Sequence, residues 1–195
     1  MTHVSIIGKG NMGQAISAVA TQGGNTVELF DTTDKDRPVT GELVVLAVPY
    51  PALSQVLAER GDQLAGKVVV DITNPLNFET FDSLVVPADG SAAAELAEKL
   101  PEAKVVKAFN TTFAATVATG QAGEVPTTVL IAGDDVEAKE LLAGVVSQGG
   151  LRAVDAGSLK RARELEAVGF LQLTLAAGEK IAWTGGFGLS ETPAA

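Results

Sequence analysis

Residues 3–16 read HVSIIGKGNMGQAI, an apolar strand running into Gly8-Lys9-Gly10-Asn11-Met12-Gly13 and then into a helical pattern. The spacing is G-x-G-x-x-G, and each glycine has a physical task. Gly8 permits a tight turn, Gly10 lets a pyrophosphate approach the backbone, and Gly13 lets the helix pack closely on the strand. The free N–H groups of the first helical turn then face an anion. Glycines also occur in ordinary turns, and the spacing alone is a weak signal. Here the strand before it and the helix after it agree, which points to a dinucleotide.

The rest of the chain supports that placement. Short apolar runs at His3–Gly8, Thr26–Phe30, Leu43–Val48, Lys67–Ile72, Lys104–Phe109, Thr127–Ala132 and Arg152–Asp155 are the strand candidates. Runs such as VVLAV and KVVVDI show little polar alternation, as strands buried on both faces of a parallel sheet do. Helical patterns at Asn11–Gln22, Pro51–Arg60, Ser91–Leu100 and Asp135–Ser147 lie between them. The order predicts an α/β fold: a Rossmann-like, doubly wound, mostly parallel sheet. From Ser158 to Trp183 the pattern becomes one long helical stretch, with Leu165, Val168, Leu171, Leu175 and Ala176 at helical spacing. The expected organisation is a dinucleotide-binding domain over residues 1–156 and a C-terminal helical extension over 157–195, with Ser190–Ala195 a frayed tail.

Composition narrows the chemistry. The 195-residue chain has no cysteine and one histidine, His3, which excludes thiolate catalysis and makes histidine metal sites and Ser-His-Asp catalysis improbable. No metal site is expected. A net charge of −10 disfavours nucleic acid as a partner. No apolar run approaches the ~18–20 residues of a membrane span, and no basic leader is visible. A soluble, cytoplasmic protein is the expectation.

A residue that reads the adenosine ribose belongs about 20 positions after the glycine turn. Asp31 lies 18 residues after Gly13. A carboxylate there accepts from a 2′-hydroxyl and repels a 2′-phosphate, which favours NAD(H). Thr32 and Thr33 follow, and Lys35 and Arg37 are near enough to hold a phosphate. The residues alone leave the cofactor phosphate open, and a solvated turn that reads nothing is the bland alternative. Eleven residues separate Asp31 from Leu43, with Pro38 and Gly41 among them. Extended, they span roughly 36 Å, enough to cross under the sheet without the usual second helix and third strand.

The segments SIIGKGNMGQAI, VVLAVPYPAL, KVVVDITNPLNF, VVKAFNTTFA and RARELEAVGFLQLTLA…WTGGF together resemble the NADP oxidoreductases dependent on the deazaflavin coenzyme F-420. That family's relatives include small bacterial dinucleotide-binding oxidoreductases and the cytoplasmic domain of six-transmembrane metalloreductases. The resemblance implies NADP(H) as cofactor and a flavin or deazaflavin as second substrate. It places the pyrophosphate on Gly8–Gly13 and the nicotinamide ribose beside Ala47, Val48 and Pro49. Asn74, Pro75, Ala108, Phe109, Asn110 and Thr111 would lie near the nicotinamide. The family's Ser-Arg pair after the second strand is Thr32-Thr33 here, behind Asp31, which puts the NADP preference in doubt.

Acid–base groups are few. His3 is expected to be structural. Tyr50 lies next to the candidate nicotinamide site, although Pro-Tyr-Pro also serves as packing. Hydride transfer to a flavin or deazaflavin needs no dedicated protein acid at carbon. Lys160, Arg161 and Arg163 form a basic turn in an acidic protein, either a solvated surface paired with Glu164 and Glu166 or a site for an anionic acceptor. The segment Trp183–Gly188 is a lid or an anchor for the last helix. The expected function is hydride transfer between nicotinamide and a flavin-like small-molecule acceptor, in a homodimer. A non-catalytic dinucleotide sensor and a pyrroline-5-carboxylate reductase relative are the alternatives.

Overall fold

In the strand Leu43–Leu46, Leu43 and Val45 point to one face and Val44 and Leu46 to the other, and all four are buried. This is the period of two that a strand covered on both sides must satisfy. In the computed structural model, which describes residues 1–190, the elements run β1 (His3–Ile7), α1 (Asn11–Gln22), β2 (Thr26–Phe30), β3 (Leu43–Leu46), α2 (Leu53–Arg60), β4 (Val68–Asp71) and α3 (Ala92–Lys99). They continue with β5 (Lys104–Lys107), α4 (Ala114–Thr119), β6 (Gln121–Ala122), β7 (Val125–Pro126), β8 (Thr128–Gly133), α5 (Val136–Gln148), β9 (Arg152–Gly157) and α6 (Ala162–Ala177). Short 3₁₀ turns, Tyr50–Ala52 and Leu159–Arg161, lead into α2 and α6. Residues 191–195 of the expected tail lie outside the described residues.

Seven strands form one sheet in the order β2-β1-β3-β4-β5-β8-β9, parallel throughout except where β8 meets β5. All seven expected strands are in it. One core layer packs Ile16 and Val19 of α1 and Leu142 of α5 on Val4, Val45 and Ile131. The other packs Leu53 of α2 and Leu96 of α3, with Leu159 and Ala162, on Val44, Val69 and Val105. Each layer buries its apolar stripe against the sheet, the dominant stabilising contribution.

β2 and β3 both pair with β1 in parallel, and residues 31–42 between them contain neither helix nor strand. The expected short crossing is present. Buried Arg60 of α2 fastens it by donating to the carbonyls of Arg37, at 2.8 Å, and Asp34. The strand order reverses at β1, and this switch point opens a crevice at the carboxyl ends of β1 and β3.

Two expectations need correction. The stretch after Ser158 is not one helix to Trp183: α6 ends at Ala177, and Gly178 and left-handed Glu179 (φ 56°) turn the chain away. α4 and the β6–β7 hairpin were not expected. Six helical residues and two-residue strands are too short to show a period, and their order comes from tertiary packing.

Candidate active site

At Gly8, φ is +119°, and an added Cβ would stand 2.1 Å from the carbonyl oxygen of Ala47. At Gly13 an added Cβ would stand 2.0 Å from the carbonyl oxygen of Gly8. Both glycines are therefore required by backbone packing against the end of β3 and inside the turn. Gly10 differs: nothing lies within 4 Å of a Cβ built there. That space opens in front of the α1 N-terminus, which has no side-chain cap and no acidic residue in its first turn. Its N–H groups and dipole are left for an anion.

The turn divides two cavities. One, of about 540 Å³, is lined by Gly10, Asn11 and Met12, by Ala47, Val48, Pro49 and Tyr50, by Thr73 and Asn74, and by Phe109 and Asn110. Ile72, Phe78, Phe113, Leu173 and Trp183 supply much of its apolar wall. The other, of about 200 Å³, lies on the far side and is lined by Gly8, Lys9, Phe30, Asp31, Thr32 and Val48 with residues of α2. Thr33 sits beside it, its N–H and hydroxyl both donating to Asp31. The structure thus gathers most of the expected cofactor residues around one turn.

Other expected residues lie elsewhere. Ala108 is fully buried in the core. Thr111 is buried, and its carbonyl accepts from Gln172 of α6 at 3.1 Å. Pro75 presents its carbonyl to Val85 N–H. Lys160, Arg161 and Arg163 are exposed on the turn into α6, outside the larger cavity, and both arginines approach Glu164, at 3.5 and 3.6 Å. His3 stands 3.9 Å from Glu28, at the opposite end of β1 from the glycine turn. Trp183 packs its ring on Phe113 at 4.9 Å, and Phe187 N–H donates to Gln172, which anchors the segment after α6 beside the cavity.

At the ends of β4 and β5, Asn74 and Asn110 bind each other. Asn74 Nδ2 donates to the Asn110 carbonyl at 2.9 Å, and Asn110 Nδ2 donates to Asn74 Oδ1 at 3.0 Å and to the Leu165 carbonyl at 2.8 Å. Phe109 makes this geometry possible through a left-handed φ of 60°. Such a conformation costs a bulky residue about 1–3 kcal/mol and clusters at functional sites. Asn110 Oδ1 and Thr73 Oγ1 are buried without a protein partner, and both residues line the cavity.

Beneath them lies a charge cluster that the sequence did not reveal. Lys107 Nζ, fully buried, donates to Asp71 Oδ2 at 2.9 Å, to the Thr73 carbonyl at 2.6 Å and to Glu166 Oε1 at 2.8 Å. Glu166 also accepts from the N–H groups of Ala92 and Ala93 at the start of α3. Burial raises the Glu166 carboxyl above the usual carboxylate range, against the pull of Lys107. Gly169 is a second missed residue. A Cβ there would stand 2.3 Å from Asn74 Oδ1, so only glycine lets α6 lie against the asparagine pair. A lysine in a strand and a glycine in a helix carry no local signal of either role.

Among the described residues, Tyr50 is the only ionisable one lining the larger cavity. Burial, reinforced by its hydrogen bond to Glu95 at 2.8 Å, pushes its phenol up to about 12. It remains protonated at neutral pH and has already committed its hydrogen. Among the described residues no cluster could hold a metal ion, and no helix is long and apolar enough to cross a membrane.

Fold and site together define a dinucleotide-binding oxidoreductase. Comparison with known proteins supplies the family. The family model for NADP oxidoreductase, coenzyme F420-dependent, matches residues 31–75. The F420-dependent NADP reductase of Methanocaldococcus jannaschii is 32% identical over 154 residues, covering 77% of this chain and 69% of that one. Metalloreductase STEAP3 of Rattus norvegicus is 34% identical over 140 residues, covering 72% of this chain and 28% of that longer protein. A crystal structure from Arthrobacter sp. FB24, described as a candidate F420-dependent NADP-reductase, superposes with a TM-score of 0.85 at 24% identity, covering 98% of this chain and 100% of that one. The chain belongs to the F420-dependent NADP reductase family.

Proposed function

We propose that this protein transfers hydride between a nicotinamide dinucleotide and a flavin- or deazaflavin-like acceptor within the larger cavity. The observation that carries the reading is the cavity's chemistry: an apolar, aromatic wall whose one ionisable group among the described residues, Tyr50, is held as a neutral phenol. Reducing a carbonyl or imine calls for a proton donor near the reacting atom. A flavin-like ring carries its own redox chemistry and asks the protein for position and dryness.

The residues present fit a dinucleotide. The open space at Gly10 and the uncapped α1 N-terminus suit the pyrophosphate. Asn110 Oδ1 and Thr73 Oγ1 offer acceptors to a carboxamide. When bound, the nicotinamide supplies or receives the hydride. With such a ligand bound, Met12, Phe113, Leu173 and Trp183 would exclude water from the reacting faces, and the Asn74–Asn110 pair would hold the floor of the cavity in place. The family name of the relatives supports a deazaflavin as acceptor.

The test is steady-state oxidation of reduced dinucleotide with deazaflavin, flavin and simple carbonyl or imine acceptors compared at equal concentration. Turnover with the ring acceptors supports the reading. Turnover confined to carbonyls or imines contradicts it, and tight binding without turnover on any acceptor identifies a sensor.

A further inference from the structure

We propose that the adenosine end of this site reads a free ribose 2′-hydroxyl and disfavours a 2′-phosphate, so that this chain takes NAD(H) in preference to NADP(H). The proposal rests on the dinucleotide reading above and departs from the cofactor in the relatives' names.

Asp31 stands at the carboxyl end of β2, where this fold brings an acidic side chain to the adenosine ribose. Its carboxylate is held from two sides. Oδ1 accepts from Thr33 N–H at 2.8 Å and from the Thr33 hydroxyl at 2.5 Å, and Oδ2 accepts from Lys9 Nζ at 2.8 Å. A carboxylate oxygen has two lone pairs, so Oδ2 keeps one for a ribose hydroxyl.

A phosphate at this turn would need free N–H groups and free cations. The turn offers no free cation, and of its N–H groups beside Asp31 only that of Thr32 is left, with the Thr32 hydroxyl. The N–H of Asp31 donates to Asp34 Oδ2 at 2.9 Å, and the N–H of Thr33 is spent on Asp31 itself. Two protein carboxylates thus occupy the N–H groups on either side of Thr32 and put their own charge where a phosphate would sit. The four cations around the turn are also engaged. Lys9 sits between Asp31 and Asp34, at 2.8 and 3.2 Å. Lys35 faces Glu59 at 3.6 Å, and Arg37 pairs with Glu28 at 3.1 Å. Arg60 is spent on the carbonyls of Arg37 and Asp34. Both arginines stack on the Phe30 ring, 4.3 and 4.9 Å from its centroid.

The hydrogen bonds from Lys9 and Thr33 hold Asp31 far below the usual carboxylate range, so it stays charged throughout the working pH range. A 2′-phosphate would therefore meet two fixed negative charges, with Lys9 the single cation between them. Lys9 has one N–H left beyond those two contacts, and a phosphate drawn to it would still stand beside both carboxylates.

The experiment measures dissociation constants by calorimetry for two pairs: ADP-ribose against its 2′-phosphate, and NADH against NADPH. The first pair lacks nicotinamide and reports the adenosine end alone. The unphosphorylated member should bind more tightly by at least about tenfold in both pairs, the order expected for like charges near a surface. The gap should narrow as salt is added. In Asp31→Asn/Asp34→Asn, with thermal unfolding as the fold control, the ratio should shift toward the phosphate-bearing ligands by about tenfold or more. The ratio in the parent protein decides the matter even if that variant fails to fold. Equal or tighter binding of the 2′-phosphate forms would overturn the proposal while leaving the dinucleotide site intact. Failure of both pairs to bind would overturn the proposal together with the dinucleotide reading beneath it.

Discussion

Lys107 of β5 and Glu166 of α6 meet at 2.8 Å with both side chains buried. The contact joins the last helix to the middle of the sheet. Glu166 caps the start of α3, and Lys107 holds the Thr73 carbonyl at the cavity floor, so the pair fixes three segments at once. Lys107→Met leaves two buried carboxylates without their cation. Removing one partner of such a network should cost about 3–5 kcal/mol, measured by urea unfolding.

The same cluster sets a pH dependence. One lysine faces two carboxylates, Asp71 and Glu166, and burial raises the Glu166 carboxyl above its ordinary 4.5. The folded state then holds a proton that the unfolded state has released. The contribution of Glu166 to stability is full below 4.5 and is lost as pH rises through its folded value. The stability difference between the parent and Glu166→Gln should therefore shrink from acid to neutral pH. A difference that grows with pH would show that Glu166 is stabilised as an anion.

The three glycines of the turn should separate under substitution. Gly10→Val meets no neighbour and has an ordinary backbone, so it should fold like the parent yet lose most of its dinucleotide affinity. Gly8→Ala and Gly13→Ala drive a Cβ into backbone carbonyls at 2.1 and 2.0 Å, so they should lower Tm as well. Overpacking of this kind costs about 1–3 kcal/mol. Native affinity in folded Gly10→Val would remove the pyrophosphate from this turn.

Gly169→Ala tests the seat of α6. Its Cβ would press on Asn74 Oδ1 at 2.3 Å and on the Asn110 carbonyl at 2.8 Å. Alanine favours an exposed helix over glycine by about 1 kcal/mol, so a net loss of stability would show that packing decides here. Reduced nicotinamide affinity should accompany it.

The basic turn into α6 should be silent. Arg161 and Arg163 are exposed, lie near Glu164 and stand outside the larger cavity. Arg161→Gln/Arg163→Gln should leave stability within about 0.5 kcal/mol and leave dinucleotide binding at the parent value. Weakened binding that recovers with salt would instead assign the turn to an anionic acceptor.

Much of this arrangement was legible in the chain. The glycine spacing between a strand and a helix located the turn, and eleven residues after Asp31 left no room for a helix. What stayed hidden depends on distance along the chain. Lys107 and Glu166 are 59 residues apart and belong to patterns that read as ordinary strand and helix. The left-handed Phe109 and the close approach at Gly169 exist only once α6 docks on the sheet. The antiparallel pairing of β8 to β5 follows from the path through α4 and the small hairpin, elements too short to leave a period.

Direct hydride transfer in the larger cavity is the central claim, and isotope tracing tests it. Reduced dinucleotide deuterated at the transferring C4 position is mixed with the deazaflavin acceptor in ordinary water, and the reduced acceptor is examined by mass spectrometry. A carbon acceptor does not exchange its hydrogen with solvent, so the account predicts deuterium retained on the deazaflavin ring. Reduced deazaflavin carrying solvent hydrogen, or no reduction of either deazaflavin or flavin, would contradict that claim.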